Sequence, residues 1–309
     1  MKRRNGQSGL LRRFAIVYKG MSEELLKKPV IILGPPRSGT TILGSLLSQH
    51  SHFGYFEEPR AVWRWGNEKH SDWMGPECAT HDVKRYIRGY FGDRLKEMGK
   101  ARLLEKTPQN CLRPEFVDSI FPDAKYIIVH RDPIETVRSI ESFWTDNTYG
   151  VQSIGSKKIW RKIRQTSFRQ LAPYALEFAK RIMPKRAGRP NVMWGPRLPG
   201  LSEMTRDMSI SEVAAYQWRY CMERIATFSG SIEPSRIQVW ALEDMNENSF
   251  AKILDYIGIE IEDPLKNAIA QRFSYSGVRR ERVIDDAFMA KVKPIIEPTR
   301  MYLKEHGLI

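Results

Sequence analysis

Four short runs of nearly continuous apolar residues recur along the chain, at 30–34, 102–105, 125–130 and 237–242. Runs of this length, bounded by turn residues, predict strands buried on both faces. A fifth, shorter strand is predicted from Phe53 toward Glu58, ending at Pro59. Between the runs, apolar positions recur at helical spacing. Ile42, Leu43, Leu46 and Leu47 form one stripe, and Val83, Ile87 and Leu95 another. Ala214, Trp218, Cys221, Met222 and Ile225 form a third, and Phe250, Ile253, Leu254 and Ile257 a fourth. Ser209 and Glu212 have capping-box spacing, Asp132 and Pro133 suit N-cap and N1, and Gly258 suits a helix stop. Strands alternating with helices predict an α/β fold, a P-loop-like parallel sheet with helices on both faces and right-handed crossovers. The expected layout is a basic segment at 1–28 followed by a single domain over 29–309. Within that domain, 146–208 reads as a helical and loop insertion, a lid or acceptor-binding region.

Composition narrows the ligand class. The 309 residues are 41% hydrophobic, enough for one large core, and carry a formal charge of +14. That balance favours anionic ligands: a nucleotide, nucleic acid or an acidic membrane. The three cysteines are far apart and lack metal-ligand spacing, which suits a reducing compartment. No 18-residue apolar run occurs, so no membrane span is expected, and the apolar run near Phe14 is too short for a secretory signal. These features predict a cytoplasmic protein. Residues 10–17 suit an amphipathic helix that packs on the domain, or else meets a membrane surface or partner.

The chemistry centres on 29–41, where a strand, a small-residue loop and a helix start follow one another. Loop amides and a helix N-terminus offer free N–H donors and partial positive charge to an anion. Gly34 and Gly39 have the spacing of a nucleotide-triphosphate loop, but Thr40 stands where its lysine belongs. A cation, Arg37, lies inside the loop instead. A γ-phosphate site needs that lysine and usually Mg²⁺, so this loop suits an anion held without metal. Lys106, Arg131 and Glu243 each follow a predicted strand, on the sheet edge where such folds bind ligands. Glu57 and Glu58 end the short strand. Strand alternation allows only one into the cleft. Pro59 biases Glu58 toward an extended backbone, which makes Glu58 the candidate base, with His50 and His52 in reserve. Trp63 and Trp194 are candidate walls of an acceptor pocket, although core packing is the commoner use of tryptophan. His130-Arg131-Asp132 is similar to a protein-kinase catalytic loop, but Val137 replaces the required asparagine.

Pro36-Arg37-Ser38-Gly39-Thr40-Thr41 resembles the 5′-phosphosulfate loop of sulfotransferases that use 3′-phosphoadenosine-5′-phosphosulfate (PAPS). The arginine form is that of the tyrosylprotein and carbohydrate branches, and 105–108 is similar to a run in the carbohydrate branch. The resemblance implies a role for each matching residue. Pro36, Arg37, Ser38, Gly39, Thr40 and Thr41 would hold the 5′-phosphosulfate, and Arg131 and Ser139 the 3′-phosphate. Glu58, followed two residues later by Arg60, would be the base. Arg37 and Lys106 would stabilise the sulfonate and the leaving group. Arg279 and Arg280 resemble, loosely, a basic C-terminal loop that covers the nucleotide. The implied reaction is sulfuryl transfer from PAPS to a hydroxyl, or less readily an amine, of a small molecule such as a natural product. No metal and no nucleic acid take part. A small-molecule P-loop kinase and a non-catalytic nucleic-acid or membrane-binding protein are the alternatives.

Overall fold

The computed structural model describes residues 24–145, 195–274 and 285–309. The chain enters at β1 (Val30–Leu33) and turns through the Gly34–Gly39 loop into α1 (Thr40–Leu47). β2 (Phe53–Glu57) leads to a single turn, α2 (Arg60–Trp63), and then to α3 (His81–Met98). β3 (Arg102–Lys106), α4 (Pro114–Ile120), β4 (Lys125–His130) and α5 (Pro133–Thr145) complete the first part. Beyond residue 194 come α6 (Leu201–Asp207), α7 (Ile210–Ser229), β5 (Ile237–Ala241), α8 (Glu247–Ile257), α9 (Asp263–Ser274) and α10 (Asp286–Glu305).

The five strands form one parallel sheet in the order β2-β3-β1-β4-β5. β1, at its centre, is buried along its whole length, as its unbroken apolar run demands. β5 closes one end of the order and is only half-buried. Side chains alternate between two cores. Ile31, Leu33, Leu103, Tyr126 and Ile128 pack with α3, α4, α5, α7 and α10. Val30, Ile32, Leu104, Ile127 and Val129 pack with α1, α8 and α9. The helices therefore cover both faces. The capping box at Ser209 and Glu212 forms, Asp132 Oδ1 accepts the Glu135 N–H at 2.9 Å, and Gly258 ends α8 in the left-handed region. Every strand is parallel, so all five C-termini reach the same edge, and Gly34, Glu58, Lys106, Arg131 and Leu242 gather there.

No helix among the described residues is long and apolar enough to cross a membrane. The segment 1–23, most of the expected insertion at 146–208, and the residues Trp194, Arg279 and Arg280 lie outside the described residues.

Candidate active site

The loop between β1 and α1 takes its shape from close approach. A Cβ on Gly34 would lie 2.2 Å from the Val129 carbonyl oxygen and 2.7 Å from Ser38 Oγ. Gly39 is left-handed at φ 95°, and a Cβ there would meet Leu242 at 2.5 Å. Arg37 is left-handed too, at φ 70°, an uncommon state for a residue with a side chain. No side chain caps the N-terminus of α1, so its first amides keep their donors for a ligand. Ser38 departs from its expected role. It is fully buried and its hydroxyl donates to the Pro35 carbonyl at 2.7 Å, so it shapes the loop from within.

A cleft of about 340 Å³ opens at this edge. Pro36, Arg37, Gly39, Thr40, Thr41, Glu58, Arg60, Arg131 and Ser139 line it, with Ile140, Phe143, Trp144 and Leu242 as apolar walls. Most of the expected site residues thus meet in one cavity. Arg37 Nε donates to Ser139 Oγ at 3.1 Å and its guanidinium lies 5.4 Å from the Phe143 ring centroid, which ties the loop to α5. Arg131 pairs with Glu135 at 3.0 Å and approaches Glu243 at 3.8 Å.

The carboxylates of β2 depart from the expected alternation. Glu58 does not take the extended backbone expected before Pro59; it is left-handed, at φ 53°. Its N–H donates to the Lys106 carbonyl at 2.8 Å, which continues the β2–β3 pairing for one step and holds this turn. The turn lets both carboxylates reach one lysine: Lys106 Nζ lies 3.1 Å from Glu58 Oε1 and 3.4 Å from Glu57 Oε1. Arg60 Nη2 takes the other Glu58 oxygen at 2.5 Å, and the Gln109 amide oxygen accepts from Arg60 at 3.1 Å. Lys106 is buried, with its side chain 1% exposed; Glu58 and Arg60 stand between it and the cleft as lining residues.

Burial alone would raise the Glu58 pKa, but Arg60 and Lys106 outweigh it and hold it at about 2. Glu105, the residue before Lys106, behaves oppositely: complete burial pushes it up to about 7, against hydrogen bonds from Thr107 and Trp63. The two therefore act on stability with opposite signs. Glu58, depressed on folding, contributes stability that is present above pH 4.5 and is lost as pH falls toward 2. Glu105, raised on folding, contributes stability that is present below pH 4.5 and is lost as pH rises through 7. Urea unfolding across this range should show Glu58→Gln flattening the acid side and Glu105→Gln the neutral side; unchanged slopes in both variants would contradict these environments.

In the sequence Glu105 stands out only as the end of a predicted strand and the start of the 105–108 run, although a carboxylate inside an otherwise apolar strand also signals a buried polar network. Trp63 Nε1 donates to it at 2.9 Å and Asn110 Nδ2 at 3.1 Å, with Thr107 Oγ1 also bound. Asn110 Oδ1 accepts from Arg113, which pairs with Asp72 at 3.4 Å, and Asp72 Oδ2 accepts the Arg197 N–H at 2.8 Å. This chain fixes the Pro108–Gln109 wall from behind. It also corrects the reading of Trp63, which is buried between Phe91 and Phe121 and walls no acceptor pocket. The reserve bases are excluded. His50 and His52 precede β2, at the opposite end of the strand from Glu58, roughly 16 Å away. His50 uses both ring nitrogens, on the Glu260 carbonyl and the His52 N–H. His50, His52 and Glu262 are the one group among the described residues whose ligand atoms could converge on a metal, and they lie far from the cleft.

A family model described as "Sulfotransferase family" matches residues 29–187. Among curated proteins, the nodulation protein NoeE of Sinorhizobium fredii is 28% identical over 142 residues, 40% of this chain and 34% of that protein. Protein-tyrosine sulfotransferase A of Caenorhabditis elegans is 28% identical over 127 residues, 37% of this chain and 33% of that protein. The match therefore spans about a third of each relative. Two solved structures share the fold. The sulfotransferase domain from the curacin biosynthetic pathway aligns with TM-score 0.50 at 16% identity, covering 92% of this chain and 98% of that one. Sulfotransferase STF9 from Mycobacterium avium aligns with TM-score 0.52 at 14% identity, covering 94% of this chain and 80% of that one.

Proposed function

The chain belongs to the sulfotransferase family, and from that premise we propose that it transfers a sulfuryl group from PAPS to a hydroxyl of a small molecule. The observation that carries this reading is the gathering of three guanidinium groups, Arg37, Arg60 and Arg131, around Glu58 and the open N-terminus of α1 in one cleft. That donor set fits a ligand with several anionic groups. Thr40, Thr41 and the α1 amides would hold the 5′-phosphate, and Arg131 with Ser139 the 3′-phosphate. Bound there, PAPS supplies an activated sulfuryl group on a phosphate leaving group.

The protein's part is positioning, proton removal and charge neutralisation, as in phosphoryl transfer through a loose in-line transition state. Arg37 neutralises charge at the transferred group and the departing oxygen; Lys106, expected beside them from the resemblance, is buried behind Glu58 and Arg60 and acts through those two side chains. Glu58 takes the acceptor proton. At a pKa of about 2 it is a weak base. An anion that shares Arg60 with it raises its basicity, so the donor readies the base that serves the acceptor. Ile140, Phe143 and Trp144 offer the acceptor an apolar wall beside these charges.

The discriminating experiment is thermal-shift titration with 3′-phosphoadenosine-5′-phosphate (PAP) against ATP·Mg. PAP should stabilise the protein more. Arg131→Ala should weaken PAP by about 1.5–3 kcal/mol, roughly 10–150-fold in Kd, and weaken adenosine 5′-phosphosulfate much less. Loss of Arg131 also exposes the nucleotide to Glu135 and Glu243, which favours the upper end of that range. Stabilisation by ATP·Mg alone would favour a kinase, and equal losses for both nucleotides would remove Arg131 from the 3′-phosphate.

A further inference from the structure

We propose that Glu57, which does not line the cleft, is a positioning residue: it is the standing counter-ion of Lys106 that allows Glu58 to become neutral during turnover. The inference rests on the sulfotransferase reading and deepens it.

The geometry begins with register. Glu57 and Lys106 are paired positions of the parallel strands β2 and β3, so their side chains leave the same face of the sheet as neighbours. Glu58 joins them only through its left-handed turn. Lys106 thus meets two carboxylates from consecutive residues, an arrangement that regular strand alternation forbids. The two differ in their surroundings. Glu58 lines the cleft and is shared with Arg60. Glu57 is off the cleft wall, with its side chain 33% exposed.

The reaction changes the charge of only one of them. The acceptor oxygen bonds to sulfur and displaces the phosphate, which leaves with the electron pair, and the acceptor proton passes to Glu58. Glu58 is then neutral and no longer balances Lys106. A buried ammonium without a counter-ion is costly, and that cost would fall on the step that protonates Glu58. Glu57 takes no part in the proton transfer. It anchors Lys106 behind Glu58 and spares the proton transfer that penalty. In its absence the ammonium would depend on Glu58 alone, which would depress the base further and let Lys106 drift as Glu58 is neutralised.

The test is a double-mutant cycle in kcat. PAP formation from PAPS is followed with the most active member of a panel of phenols, sugars and aliphatic alcohols. The four proteins are the unaltered chain, Glu57→Gln, Lys106→Met and the double variant, and PAP Kd is measured for each. Glu57→Gln should lower kcat roughly 10-fold in the unaltered chain and less than about twofold when Lys106 is already methionine, with PAP Kd within about twofold throughout. Non-additivity of that kind separates action through Lys106 from a general structural effect. Equal losses in the two backgrounds, or a loss carried by PAP Kd, would overturn the role of Glu57 and leave the function standing. An unaltered chain that neither binds PAP nor forms it from PAPS would overturn the function itself, and this inference with it.

Discussion

Glu58→Gln should lower kcat by about 10²–10⁴-fold, the usual contribution of a general base, while PAP binding is retained or tightened, because a neutral side chain no longer competes for Arg60. The amide keeps the shape of the side chain and loses its capacity to take a proton. Glu58 is the carboxylate that lines the cleft, within reach of an acceptor placed against Ile140 and Phe143. The substitution also removes the carboxylate that Arg60 and Lys106 share. The Glu58 side chain is 28% exposed, so the loss of stability should stay below about 3–5 kcal/mol, the cost of breaking a fully buried pair, and the thermal unfolding of the variant is measured beside its rate. A folded variant with intact PAP binding and a collapsed kcat is the expected combination. A rate that falls only in step with the folded fraction would assign Glu58 to structure. Retention of full activity would send the proton elsewhere, though not to His50 or His52, which lie at the other end of β2.

The layout of the sheet and of its binding edge was legible in the sequence. The run at β1 is unbroken and those at β3, β4 and β5 are nearly so, and each is followed at once by a residue with chemistry in its side chain or backbone. In a parallel sheet, that alone brings Gly34, Lys106 and Arg131 to one edge. The detail of the base was not legible. Pairwise rules for a strand end and for a residue before proline both predict an extended Glu58. The structure overrides them with a longer-range bond, the Glu58 N–H on the Lys106 carbonyl. A left-handed non-glycine residue at a cleft is strain that tertiary contacts sustain, and local sequence carries no sign of it. The sequence leaves Trp63 between pocket wall and core, because a tryptophan near a loop can face either way. Its direction is set by Glu105, which lies on β3 and accepts its N–H. Ser38 shows the same limit within a motif: a loop hydroxyl serves the ligand or the loop, and here it serves the loop.

Gly34→Ala should cost more than any other single-carbon addition in the cleft, because what it meets cannot move aside. The new methyl would lie 2.2 Å from the Val129 carbonyl oxygen, which belongs to the backbone of β4, the strand paired with β1 in the middle of the sheet. Relief would require β1 and β4 to part or the loop to swing into the cleft, and Ser38 and Thr40, each 2.7 Å away, block the second route. Overpacking of a tight interior costs about 1–3 kcal/mol even where side chains can adjust. Here backbone must adjust, so the upper end of that range or beyond is expected, with PAP binding weakened more than about 10-fold. Gly99→Ala is the matched control. Gly99 caps α3 at φ 61° and an added Cβ would meet nothing within 4 Å, so only its left-handed strain, about 1–2 kcal/mol, should register. PAP affinity should be unchanged in that variant. Thermal unfolding and PAP titration of the two proteins side by side decide the matter: if Gly34→Ala matches Gly99→Ala in both stability and affinity, close packing against β4 is not what shapes the anion loop.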